Sequence, residues 1–143
     1  MSTVVNFENI QVGDVLSAFQ PPPVSRLNLA LYCGASGDHN PIHVDTDFAH
    51  AAGMSDVIAH GMLSMAWLGH VLTQWVPQTA LRSYSVRFAA MTYVGERITC
   101  TGEVVEKSYI HGEPCARVTL STVNQDGQVK LTGEAWVALP SLL

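Results

Sequence analysis

The side chains best suited to proton chemistry fall together in residues 36–43, which read SGDHNPIH. Asp38 and His43 are the two titratable groups of interest there. At that spacing they would diverge on a helix, and on a strand they would face opposite sides. Pro41 pushes Asn40 out of helical geometry, so a loop is expected, and a tight loop can bring the pair together. A carboxyl group and an imidazole, with ordinary pKa values of about 3.9 and 6.5, can share one water and exchange protons with it. Which of the two is the base is not assigned, because coupled groups titrate together. The alternative is plain turn chemistry: Asp and Asn in turns often bond only their local backbone. Taken alone, the loop leaves both readings open.

The elements around it can be read from pattern. Pro21, Pro22 and Pro23 end an extended segment, and Ser25 is an N-cap for a helix that stops near Cys33 and Gly34. Asp45 or Thr46 caps a short helix over 46–52, with Gly53 as its stop. A longer helix is expected over 59–75. It is apolar on nearly all sides, as a core helix is. Beyond Pro77 the period changes to two, and strands are expected over 83–91, 97–107, 114–124 and 128–138. Residues 124–127, NQDG, make a hairpin turn between the last two. The fold class is α+β: helices, then an antiparallel meander wrapping a buried helix.

The chain has 143 residues, which suits one domain over 1–143. Charged residues are only 13%, against 48% hydrophobic. Much of the surface is therefore uncharged, and large apolar patches usually mark contacts, so an oligomer is expected. Seven Lys and Arg against twelve Asp and Glu, with no basic run, argue against a nucleic-acid partner. Cys33, Cys100 and Cys115 are odd in number and form no CxxC, so neither a disulfide framework nor a thiolate zinc site is expected. The first residues carry no secretory signal, and polar groups interrupt the one apolar stretch, 57–76, too often for a membrane span. A cytoplasmic protein follows as the default.

The stretch YCGASGDHNPIH over 32–43, with Ala49 six residues on, resembles the signature of MaoC-like (R)-specific enoyl-CoA hydratases and related 3-hydroxyacyl thioester dehydratases. AHGM at 59–62, VRF at 86–88 and VGE at 94–96 are also similar to that family. The likeness covers roughly residues 8–138. Met91 departs from it, where relatives often carry Pro. The resemblance implies a hot-dog fold, a curved antiparallel sheet wrapped around a long helix. It implies a homodimer or higher homo-oligomer, with a heterodimer as the variant, and a site near the subunit interface. It implies the acid/base pair Asp38 and His43, with Asn40 orienting His43 or the loop, and the amide of Gly61 as oxyanion donor. The implied reaction is reversible (R)-specific hydration of a trans-2-enoyl thioester. No cofactor is expected beyond the coenzyme A or acyl carrier protein of the substrate.

Other residues are weaker candidates. His60, Ser64 and Arg87 could touch substrate; Arg82 and Lys107 could meet phosphates; Trp67 and Trp75 could be core or acyl wall. Cys33 has no visible base to make it a nucleophile. His43, Asp45 and His39 could be imagined around a metal, but no metal-site spacing supports this and none is expected. Two further functions compete. A hot-dog thioesterase usually has an acidic residue in or beside the central helix, and 61–75 contains none. A non-catalytic subunit or acyl-binding module usually lacks the Asp/His pair, which is present here.

Overall fold

The structure, a computed structural model, describes residues 5–143. Ser25 starts the first helix as expected: its Oγ accepts the Asn28 amide and opens α1, Arg26–Ser36. The helix does not stop at Cys33 and Gly34 but runs on to Gly37. Gly37 takes the left-handed conformation (φ 77°) and donates its N–H to the Cys33 carbonyl. Three more residues of helix bring its end directly onto Asp38. A 3-10 turn, Pro41–His43, leads into α2, Thr46–Ala51, which Asp45 caps by accepting the Asp47 and Phe48 amides.

The long helix is shorter than expected: α3 is Gly61–Thr73. Ala59 belongs instead to extended chain, its amide bonded to the Thr92 carbonyl. Leu68, Val71 and Leu72 are fully buried in the core with Val104, Val118 and Leu131. Burying one such side chain stabilises by about 1.5–3 kcal/mol. The helix meets the sheet closely at Gly102, where a Cβ would lie 3.1 Å from both Val71 and Leu120. Nevertheless α3 is not covered all round. Met62 is 57% exposed, so one flank is open in the single chain.

Four strands follow: β1 Leu81–Phe88, β2 Thr99–Ile110, β3 Glu113–Val123 and β4 Val129–Ala138. The turn between β3 and β4 is as expected. Asn124 Oδ1 accepts the amides of Asp126 and Gln128, and Gly127 adopts φ 77°. The strand order is not a plain meander. It is β1-β4-β3-β2, all antiparallel, so β1 lies beside β4 rather than β2. The connector 89–98 must therefore cross one end of the sheet. Three inter-strand steps of about 4.8 Å are well within its reach. Residues 13–19 cover the outer edge of β2, with bonds such as Leu16 N–H to Gly102 O and Phe19 N–H to Cys100 O. Among the described residues no strand pairs with the outer edge of β1. A sheet curled around α3 with helices before it is α+β, the hot-dog arrangement that the resemblance implies. Among the described residues no helix is long and apolar enough to cross a membrane.

Candidate active site

The loop after α1 is built by its own side chains. Ser36 Oγ donates to the Tyr32 carbonyl and accepts the Asp38 amide. Asp38 Oδ1 accepts the Asn40 amide, and Asn40 Oδ1 accepts the Ile42 amide, capping the turn that carries His43. Turn chemistry and proton chemistry thus coexist here. Asn40 acts on the loop backbone and has no bond to the His43 ring.

His43 is buried, and its Nδ1 lies 2.7 Å from the Ile58 carbonyl. A carbonyl only accepts, so Nδ1 carries a proton, and in the neutral ring Nε2 presents a lone pair. Nε2 lies 3.9 Å from Asp38 Oδ2. That is too long for a direct hydrogen bond, but it leaves room for one water bonded to both. Asp38 is half exposed, so it keeps contact with solvent.

His60 stands behind this pair. Its ring is 1% exposed and stacks on His43, with centroids 3.8 Å apart and planes 23° apart. Its Nε2 is 3.3 Å from the Asp38 carbonyl and 3.2 Å from Cys33 Sγ, while Nδ1 is buried without a partner. The carbonyl requires the proton on Nε2. Burial, and then the neighbouring His43, push the His60 pKa below its ordinary value, so the ring is neutral. Burial also pushes the Cys33 thiol up, away from a reactive thiolate. Sequence placed His60 among possible substrate contacts; the fold places it as a platform beneath His43.

Gly61 opens α3, and His60 supplies no side-chain cap, so the Gly61 and Met62 amides stay free at the positive end of the helix, while Leu63 bonds the His60 carbonyl. Gly61, Ser64 and His43 line an open cavity of about 540 Å³ together with Phe88, Met91 and Leu131. A Cβ at Gly61 would meet Phe88 Cε1 at 2.9 Å, so glycine is what lets this ring close on the helix start. Arg87 does not line the cavity; it borders a groove with Ser85 and Glu134 instead. Arg82 is bound to Glu113 beside a second cavity of similar size, which holds none of the loop residues. Lys107 donates to the Ile10 carbonyl. Trp75 packs against the core, as does Trp67.

Sequence reasoning did not find the Ile58 carbonyl or the wall 89–93. The first is a backbone group, and the second is brought in by the crossing connector. Nor did it group Asp38, His43 and His60, whose donor atoms lie within 4.8 Å of one another. The stacked rings do not suit a metal. Planes 23° apart at 3.8 Å meet far beyond the roughly 2 Å reach of a metal–nitrogen bond. Moreover, His60 Nε2 is occupied by the Asp38 carbonyl.

The buried neutral His60 has a consequence for stability. A histidine with a lowered folded-state pKa binds its proton more readily when unfolded. Its contribution is therefore complete above the ordinary value of 6.5 and is lost as pH falls towards the folded value. The melting temperature should fall between pH 7 and pH 5.5, and His60→Gln, which cannot titrate, should flatten that fall. Equal slopes for wild type and variant in thermal melts would show that His60 does not carry it.

Known proteins give the same picture from another direction. The family model of the MaoC like domain matches residues 7–125. The (R)-specific enoyl-CoA hydratase of Rhodospirillum rubrum is 32% identical over 141 residues, 94% of this chain and 92% of that protein. A mitochondrial 3-hydroxyacyl-[acyl-carrier-protein] dehydratase of Solanum lycopersicum is 28% identical over 112 residues, 78% of this chain and 68% of its own. The unliganded R-hydratase of Pseudomonas aeruginosa superposes with a TM-score of 0.81 at 27% identity, covering 96% of this chain and 87% of that one. With the loop, the buried histidine pair and the open helix start in place, the chain belongs to the MaoC-like family of hot-dog hydratases and dehydratases.

Proposed function

We propose that this chain is a hydro-lyase that adds water to trans-2-enoyl thioesters, giving (R)-3-hydroxyacyl thioesters, and catalyses the reverse. The observation that carries this is the His43 Nε2 lone pair facing the Asp38 carboxylate at 3.9 Å, beside an apolar cavity that also holds Gly61. Conjugation with the thioester carbonyl makes C3 electrophilic. Water held between Asp38 and His43 attacks C3 as one of the pair takes its proton, and a proton returns from the same site to C2. The net change is one water added across the double bond. As C3 is attacked, negative charge gathers on the thioester oxygen. The Gly61 amide can donate to it from the positive end of α3. His60, stacked on His43, keeps that ring from turning away. Neither a metal nor a further cofactor enters this scheme; coenzyme A comes with the substrate.

A carrier-protein thioester is the second reading, favoured by the dehydratase of Solanum lycopersicum. An acidic carrier needs a basic surface to dock on. Arg26, Arg82 and Arg117 are already in ion pairs, and the phosphates of coenzyme A need cations too, so rates on the two thioesters decide between them.

We also infer that a second copy of the chain covers the outer edge of β1. A long unpaired edge invites pairing, and Met62, Phe88 and Met91 are exposed near it. Heterodimerisation would use the same edge. Sedimentation should give twice the 15.4 kDa of one chain; a monomer at micromolar concentration would rule this out.

The function itself is tested with crotonyl-CoA and trans-2-octenoyl-CoA, following the conjugated absorbance and free thiol together. Wild type should consume the enoyl signal without releasing thiol. Asp38→Asn, which keeps the bond to the Asn40 amide, should be slower by about a hundredfold or more. Thiol release would identify a thioesterase instead, and near-normal turnover in the variant would remove Asp38 from the chemistry.

A further inference from the structure

A lysine is among the most deeply buried residues of the described chain. Lys130, near the start of β4, is 1% exposed. Such burial is rare unless the charge is paired. Its Nζ donates to Glu96 Oε1 at 3.0 Å, to Gln128 Oε1 at 2.8 Å and to the Met91 carbonyl at 2.7 Å, which uses all three protons. It also lies 5.6 Å from the centre of the Tyr93 ring. The pair is a poor device for stability alone. The other carboxylate oxygen of Glu96 is buried without a partner, and buried ion pairs often contribute less than apolar side chains of the same size. What it does hold is the crossing connector. The Lys130 carbonyl accepts the Ala89 and Ala90 amides while its side chain takes the Met91 carbonyl. One residue thus grips three consecutive residues of the wall 89–93, each of which lines the cavity beside His43.

We propose that Lys130, with Glu96 as its counter-ion, is a positioning residue that pins this wall and so sets how well the cavity holds the acyl group. The acid/base pair is anchored by Ile58 O to His43 Nδ1 and Ile58 N–H to Ile42 O, and it meets the wall at Thr92 and Tyr93, past the stretch 89–91 that Lys130 holds. Loosening the wall therefore weakens binding more than turnover. The proposal rests on the enoyl thioester reading for its substrate, though not for the pin itself.

The test uses full-length Lys130→Met/Glu96→Gln, which leaves no unpaired buried charge, beside Lys130→Arg, which keeps charge and donors. The double variant should raise KM for trans-2-octenoyl-CoA tenfold or more with kcat within about threefold. Lys130→Arg should recover most of that loss. In hydrogen exchange, Ala59, whose amide bonds the Thr92 carbonyl next to Met91, should exchange at least tenfold faster in the double variant, while His43 and Asp45, bonded within the catalytic loop, stay unchanged. Unchanged exchange at Ala59, or a loss in kcat as large as the rise in KM, overturns the proposal. A wild type that hydrates no enoyl thioester would defeat the functional reading instead, and the exchange comparison would still decide whether Lys130 holds the wall.

Discussion

His43 can accept a proton at Nε2 because its other nitrogen is held by the Ile58 carbonyl, 2.7 Å away. That one bond fixes the tautomer, the ring plane and the direction of the lone pair. Ile58 in turn is held by its amide to Ile42 and by its bridge to Tyr93. The segment before α3 therefore joins three things: the loop that bears the acid/base pair, the helix start that offers Gly61, and the wall of the cavity. His60 reinforces the join from behind, with its ring against His43 and its Nε2 on the Asp38 carbonyl.

The site costs the fold some stability. His60 Nδ1 and Glu96 Oε2 are both buried without partners, and buried polar groups usually find one. His60 backs the acid/base pair, and Glu96 bonds the lysine behind the cavity wall. The core beneath them is ordinary: aliphatic side chains from α3 packed on β2, β3 and β4. Rigidity from that core and specific bonds around the loop together hold Asp38 and His43 at a distance where one water can bond to both.

Much of this was legible from sequence where the determining contacts are local. Ser25 and Asp45 cap their helices within a few residues, Asn124 builds its own turn, and the loop 36–43 bonds to itself. The end of α1 was misplaced because Gly34 and Gly37 look alike on paper, and only the second takes the positive φ. Strand order was not legible, since β1 pairs with β4 across about fifty residues of chain, and nothing in the period-two pattern names the partner. The same long-range step hid the wall 89–93 and the buried Lys130. His60 and Arg87 were named but not placed, because burial beneath another ring and the side of a strand both depend on packing.

The central claim is that one water, held by one pair of groups, supplies both the hydroxyl and the proton. Stereochemistry tests it most directly. A trans-2-enoyl-CoA would be hydrated by the enzyme in D2O and the product resolved by chiral chromatography and NMR. A single product is expected, R at C3, with oxygen and deuterium added to the same face of the former double bond. An S centre, addition to opposite faces, or a mixture at C2 would mean that the acid and the base stand elsewhere.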